Sequence, residues 1–310
     1  MQNILTKQKK KSAFKRGETV FLITLLAIPV LHWLVFWLYI NINSIILAFQ
    51  NERGDWSLTN FVQLWDQLTS PYGDTVGLAL KNTLFYFLNN ILVIFPLSIF
   101  IAFFIYKHVK GYKFYRIVFF LPAIISGIAM TTVYTYLLMP NGPFAAILSN
   151  LGINIPEQGF FNNAATATPA IIVYTIWTGF SSNIILIGGA MSRIPTEVLE
   201  SAKIEGCGPF REIFNIVLPL TWSTLQTMII FTMTSIFMAS GPILLFMPDG
   251  GYETTTISFW IFKQVYGSGA YGGTGQYGLV SCAGFVFTLI GVPLILFVRR
   301  IFEKVPAVEY

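Results

Sequence analysis

Six long apolar runs dominate this sequence and fix what the chain can fold into. Each run is longer than the ~20 residues that a helix needs to cross a bilayer. Charged residues make up only 11% of the chain, against about 25% in soluble domains. The sequence therefore predicts an all-α, polytopic membrane protein with six transmembrane helices. The runs cover approximately residues 19–48, 82–106, 114–138, 168–191, 213–247 and 277–298.

The basic residues are distributed unevenly between the two sides of these helices. Of the 19 Lys and Arg residues, only Arg53, Lys81 and Lys263 lie on the side of the loop at 139–167, which has none. The positive-inside rule then places both termini and the loop at 194–220 in the cytoplasm. The first run is too long for a signal peptide and lacks a small-residue cleavage site. We therefore expect a multi-pass protein of the cell (cytoplasmic) membrane.

The loop at 194–220 combines helical patterning with mixed charge. Pro195 is tolerated at a helix start, and Glu197 suits the positive end of the helix dipole in the first turn. Gly206 is placed to end this helix in the left-handed conformation, and Gly208-Pro209 then begins a second helix. The pattern predicts two short helices separated by a bend, a shape suited to being held by a partner outside the membrane.

The motif in this loop resembles the EAA loop of binding-protein-dependent ABC importer permeases. The residues are Glu200-Ser201-Ala202, Gly206 and the run Ile216-Val217-Leu218-Pro219, with Gly208-Pro209-Phe210 similar to the carbohydrate branch, of the maltose-permease type. Ser201, Glu205 and Cys207 replace the usual Ala, Asp and Ala with small residues or the same charge. Weaker motifs occur in the family's order from about residue 58 to 298, including Trp177-x-Gly179-Phe180.

The resemblance implies how the loop works. An ATPase would dock on it, Glu200 would pair with a basic residue of that ATPase, and Gly206 would allow the sharp bend. The chain itself has no GxxxxGK[ST] phosphate-binding loop, so we expect no enzymatic activity and no cofactor here, with ATP-Mg held by a partner ATPase. The implied ATPase-coupling residues are Glu197, Glu200, Ser201, Ala202, Glu205, Gly206, Gly208, Pro209 and Phe210.

Apart from Arg116 at the loop edge of the third run, the predicted helices contain neutral polar residues but no Asp, Glu, Lys or Arg. Ion-coupled transporters keep such charges at a cost of about 2.5–3.5 kcal/mol each, so their absence disfavours ion coupling and a charged cargo. Hydroxyl and amide groups with aromatic neighbours suit a neutral polyhydroxylated ligand, although they also join helices by hydrogen bonds. Alignment with the maltose-type relatives implies a sugar site at Thr178, Gly179, Ser182, Thr232, Ser235, Ile236 and Ala239.

The same resemblance implies the partners and the division of the chain. We expect a second permease subunit, because nothing in the sequence is duplicated. We also expect a cytoplasmic ABC ATPase dimer, an extracellular or periplasmic solute-binding protein, a sugar substrate and membrane lipids, but no nucleic acid, no catalytic residues and no metal. The predicted segments are a basic cytoplasmic tail at 1–17, a first transmembrane helix at 18–48, an extracytoplasmic segment at 49–77, the permease domain at 78–300 and a cytoplasmic tail at 301–310.

Three alternatives stay open from the residues. A permease of the same superfamily for another solute, such as glycerol phosphate or a peptide, has the same loop motif. A secondary transporter or channel would need intramembrane charges or inverted repeats, and we find neither. A membrane enzyme would need an acid–base pair, for which only Glu200 and His108 are available.

Overall fold

The chain folds into helices joined by short turns. The computed structural model describes residues 2–70, 75–153, 155–237, 242–248, 251–267 and 276–305, and the side chains from Gly17 onward except those of residues 145, 146 and 267. Within these ranges the β-structure is one isolated bridge, between Gln50 and Trp56. This confirms the predicted all-α class.

Five helices are long and apolar enough to cross a membrane, and a bent helix pair makes up to six spans. The count agrees with the six apolar runs, because each run contributes one span or part of one. The five continuous spans are Gly17–Ala48, Val76–Tyr106, Ala164–Met191, Pro209–Thr234 and Tyr277–Phe302.

Several of these spans contain a π-helical segment between two α-helices. The first joins α1 (Gln2–Trp33) through Leu34–Tyr39 to α2 (Ile40–Ala48), so the predicted tail at 1–17 continues helically from Gln2 into the membrane span. The second joins α4 (Val76–Asn89) through Asn90–Ile94 to α5 (Phe95–Tyr106). Such single wide turns often occur at functional positions in helices.

The third apolar run does not form the straight span that was expected. It divides into α6 (Tyr112–Ile124) and α7 (Gly127–Leu137), bent by 108°. Ile125 and Ser126 have ψ angles of 143° and 134°, outside the helical range. A proline and a Ser-Gly pair are common causes of helix breaks, and both occur here, at Pro122 and at Ser126-Gly127.

The fifth apolar run, expected to extend to 247, is also interrupted. The span ends at Thr234, and Ile243–Phe246 is a separate short helix. Pro242 directly precedes that helix, and a proline disfavours helical backbone in the residue before it. Apolar composition alone did not distinguish this arrangement from one long span.

The connections on the predicted outer side contain helices of their own. A helix appears at Thr59–Thr69, close to the helical pattern of its sequence, and further short ones follow. Ile257, Phe259 and Trp260 of the segment at 248–276 are buried, so this part is packed rather than loose. The short helices are α3 (Thr59–Thr69), α8 (Ala145–Asn150), a 3-10 turn at Phe160–Asn162, α13 (Ile243–Phe246), and α14 (Ile257–Phe262) with a π-helical extension at Lys263–Gly267.

The chain divides into two compact units. The first comprises residues Met1–Leu64 and Gln276–Val286. Within it, the Asn60 amide donates hydrogen bonds to the carbonyl oxygens of Leu47, Ala48 and Gln50 at 3.3, 3.1 and 2.8 Å, which holds Asn60 against the end of α2 and the turn that follows it. A Cβ at Gly278 would lie 2.8 Å from the Asn60 amide nitrogen, so this contact requires glycine.

The second unit comprises Trp65–Gly275 and Phe287–Tyr310 and contains the main core. The core lies where α5 packs on α9 (Ala164–Met191), beside the start of α12 (Leu218–Thr234). Ser181 of α9 donates a hydrogen bond to the Phe119 carbonyl at 2.7 Å and so ties α9 to α6. The buried members are Ile94, Phe95, Ile99, Ala102, Phe103, Phe180, Ile184, Ile187, Met191, Ile194, Ile213, Val217, Leu225 and Met228.

Candidate functional site

The loop at 194–220 forms the two short helices that its sequence predicts. They are α10 (Thr196–Ile204) and α11 (Pro209–Glu212), and a π-helical segment at Ile213–Val217 joins α11 to α12. Gly206 has φ +77°, the left-handed conformation expected of it, whereas Gly208 has φ −73°. We call residues 194–217 the coupling segment.

The coupling segment has a buried face and an exposed face. Ala202, Ile213 and Val217 are buried, the last two in the main core. Most of the residues predicted to couple to an ATPase are exposed: Glu197, Glu200, Ser201, Glu205, Gly206, Gly208, Pro209 and Phe210. Ala202 is the exception, and its burial between α10 and the bundle gives it a packing role.

Two apolar side chains on the exposed face are unusually open to solvent. Ile204 is 87% exposed and Phe210 is 64% exposed. Exposed apolar groups outside a membrane are typical of surfaces that bind another protein. Ile204 was missed in the sequence, although it lies four residues after Glu200 and therefore on the same helix face.

A cavity of about 460 Å³ lies between α4, α9 and α12. It brings together five of the seven predicted substrate residues: Thr178, Gly179, Thr232, Ser235 and Ile236. Ser182 is exposed and does not line this cavity, and Ala239 lies outside the described residues. The remaining lining residues are Thr83, Tyr86, Phe87, Asn89, Asn90, Ile94, Thr175, Asn183, Leu186, Met228 and Phe231.

The hydroxyl groups of the cavity are arranged as acceptors. Thr178, Thr232 and Ser235 donate their protons to main-chain oxygens of their own helices, at 3.0, 3.0 and 2.9 Å. Each hydroxyl oxygen then keeps acceptor capacity toward the cavity. None of the described lining residues is charged.

The wall of the cavity formed by α4, opposite α9 and α12, supplies hydrogen-bond donors. Asn89 is 9% exposed, and its side-chain nitrogen has no hydrogen-bond partner among the described residues. The Tyr86 hydroxyl is also buried without such a partner in the described part of the chain. A buried polar group left unpaired costs about 1–3 kcal/mol, so both groups are suited to a ligand that supplies the partner. The presence of a polar residue in a membrane span does not by itself distinguish a ligand-binding group from one that joins helices, which explains why neither Tyr86 nor Asn89 was predicted as a substrate residue.

Gly179 determines the width of the cavity. A Cβ at this position would lie 2.9 Å from the Ile94 Cδ1 atom, so even alanine would displace that side chain. Over the described ranges, no group of three or more His, Cys, Asp and Glu residues is placed to hold an ion.

Comparisons with known proteins agree with this architecture. The chain is 26% identical over 308 residues to the diacetylchitobiose uptake system permease protein NgcF of Streptomyces coelicolor, covering 95% of this chain and 86% of that protein. It is 24% identical over 281 residues to the multiple sugar-binding transport system permease protein MsmF of Streptococcus mutans, covering 89% and 93%. It is 26% identical over 210 residues to the sn-glycerol-3-phosphate transport system permease protein UgpA of Escherichia coli O157:H7, covering 67% and 68%.

Solved structures show the same fold. A bacterial ABC transporter involved in the import of the acidic polysaccharide alginate superposes with a TM-score of 0.77 at 22% identity, covering 94% of this chain and 98% of that one. The bacterial alginate ABC transporter in complex with alginate pentasaccharide-bound periplasmic protein gives 0.75 at 24% identity, covering 92% and 94%. No protein-family model matches the chain. The chain is therefore similar in sequence to permease proteins of three transport systems, and it shares its fold with a chain of a bacterial ABC transporter.

Proposed function

We propose that this chain is the transmembrane permease subunit of an ATP-driven importer for a neutral carbohydrate, in particular an oligosaccharide. The observation that supports this most directly is the cavity, which offers hydroxyl acceptors on α9 and α12 and unpaired donors on α4. A sugar hydroxyl both donates and accepts a hydrogen bond, so it matches both walls at once.

None of the described lining residues is charged, which favours a neutral cargo over the two charged solutes for which relatives of this chain are named. Glycerol phosphate and alginate, named for UgpA and for the solved transporter, are anionic. An anion in a low-dielectric cavity needs a paired cation to offset its desolvation. The sugar named for NgcF, diacetylchitobiose, needs none, and it is the kind of ligand that the cavity suits.

The proposed complex has three protein components besides this chain, together with the sugar and the membrane lipids. An external solute-binding protein delivers the sugar, as the periplasmic protein named with the alginate transporter indicates for that system. A second permease subunit completes the pathway, and an ATPase dimer with ATP-Mg docks on the coupling segment. Both termini and the coupling segment then lie in the cytoplasm, which the distribution of Lys and Arg supports.

The coupling role of the segment is tested by a matched pair of glycine substitutions. An added Cβ at Gly206 or at Gly208 meets nothing within 4 Å, so the two positions differ in backbone conformation rather than in space. Gly206→Ala forces a side chain into the left-handed region, at a cost of about 1–2 kcal/mol. Gly208→Ala carries no such cost, because the φ angle of Gly208 is −73°.

We expect the ATPase to co-purify with the wild-type chain from membranes of cells that express its partner genes. The Gly206→Ala chain should recover several-fold less ATPase than the Gly208→Ala chain, because only the first substitution strains the bend. Equal recovery with all three chains would show that the bend is not part of the docking surface. No ATPase with the wild type would contradict the proposed function itself.

A further inference from the structure

A buried ion pair joins the coupling segment to a span with which it is not continuous in sequence. The carboxylate of Glu212, on α11, lies 2.6 Å from the Lys107 ammonium at the end of α5. Glu212 is only 6% exposed, whereas the Lys107 side chain is 32% exposed. A second ion pair, Arg299–Glu303, joins residues four apart near the C-terminal end of the last span, and both side chains are more than half exposed.

Aromatic and aliphatic contacts also join the coupling segment to α5. The Phe100 ring on α5 lies 6.3 Å from those of both Phe210 and Phe214, in edge-to-face arrangements. Such contacts are favourable at these centroid distances. Ile213, 1% exposed, packs in the same core as Phe103. The coupling segment is therefore attached to α5 by charge and by packing.

The first half of the same span, α4, forms the wall of the cavity that supplies the hydrogen-bond donors. Tyr86 and Asn89 lie on α4, and the π-helical turn at Asn90–Ile94 separates them from α5. A displacement of α11 that moves α5 is therefore transmitted along one continuous span, Val76–Tyr106, to the side chains that face the ligand.

We propose that Lys107 and Glu212 are positioning residues that make the span Val76–Tyr106 move with the coupling segment. ATPase closure would then displace three spans: two through their covalent connection to the segment, and a third through this ion pair. The proposal rests on the proposed function, and it adds the connection by which ATP hydrolysis reaches the donor side of the cavity.

The burial of the carboxylate predicts that the two partners are not equivalent. Removal of the lysine leaves a buried charge without its partner, which is far more costly than loss of the attraction alone. Lys107→Met should therefore impair assembly more than Glu212→Gln, which preserves the side-chain volume and removes the charge. Glu303→Gln, in the exposed pair, is the matched control.

The test uses the assembled complex in proteoliposomes, with a labelled neutral oligosaccharide and its binding protein outside and ATP inside. The readout is the number of sugar molecules imported per ATP hydrolysed, which a purely structural role in assembly would leave unchanged. We expect Glu212→Gln to lower this ratio about tenfold while ATP hydrolysis continues, a coupling change of the size typical between distant sites. Glu303→Gln should stay within about twofold of wild type.

A cross-link between positions 107 and 212 distinguishes loss of the connection between the span and the coupling segment from loss of packing. Lys107→Cys and Glu212→Cys, introduced together with Cys207→Ser and Cys282→Ala, should lower the ratio as Glu212→Gln does. A flexible bis-maleimide bridge between the two new thiols should restore it, because the span and the segment then move together again. The proposal is overturned if Glu212→Gln leaves the ratio unchanged, or if the bridge fails to restore it. A wild-type complex that imports sugar without ATP would instead contradict the proposed function.

Discussion

At the residue scale, the chemistry of the cavity depends on which polar groups already have partners. Several hydroxyl groups in the spans donate to the carbonyl four residues earlier, as Thr83, Ser98 and Thr221 do. The donor proton of such a hydroxyl is satisfied locally, so only its acceptor capacity is left for a ligand. Asn89 differs, since its buried amide nitrogen has no partner among the described residues. A polar group kept at this cost is expected to act on a ligand.

Asn89→Leu should therefore weaken sugar binding without lowering the stability of the folded chain. We expect the sugar concentration for half-maximal ATP-dependent uptake to rise about tenfold, the equivalent of one lost hydrogen bond. The thermal unfolding temperature of the purified chain should stay the same or rise, because an unsatisfied amide leaves the interior. Ser98→Ala is the control, since this buried hydroxyl bonds to the Ile94 carbonyl of its own span. A lowered unfolding temperature with unchanged sugar dependence would assign Asn89 to helix packing instead.

At the element scale, the coupling segment shows what sequence does and does not predict. The two helices and the bend at Gly206 followed from the residue types, because a proline start and a left-handed glycine have local physical causes. The Lys107–Glu212 ion pair did not, because the two residues are far apart in the chain and nothing local selects them as partners. The break at Ile125–Ser126 was missed for a related reason, since its flanking residues are as apolar as those of a straight span.

The exposed face of α10 gives a prediction for the docking surface. Ile204→Ser should lower ATPase co-purification several-fold, because it removes apolar area that a docked partner would bury. The free chain should keep its stability, since this side chain is 87% exposed and packs on little. Lys203→Ser, at the adjacent exposed position, is the control for a general effect of polar substitution. Unchanged co-purification with Ile204→Ser would exclude this face from the interface.

At the scale of the whole molecule, the cavity and the coupling segment both belong to the second unit and are joined there through packed helices. The continuous core of the second unit connects the coupling segment to α5 and α9, and these helices and their continuations line the cavity. The number of spans and the family were predictable, because apolar length and motif spacing are visible in the sequence. Which polar residues meet across the cavity depends on helix rotation and packing, and the sequence contained no comparable indication of these.

The central claim is that ATP hydrolysis, rather than an ion gradient, moves a neutral sugar past this chain. The most direct test is uptake of a panel of radiolabelled neutral oligosaccharides by proteoliposomes that contain the assembled complex, with saturated binding protein outside. We predict accumulation of at least one sugar that requires ATP inside the vesicles and continues when ionophores abolish the Na⁺ and H⁺ gradients. Accumulation that follows an imposed ion gradient in the absence of ATP would contradict the account.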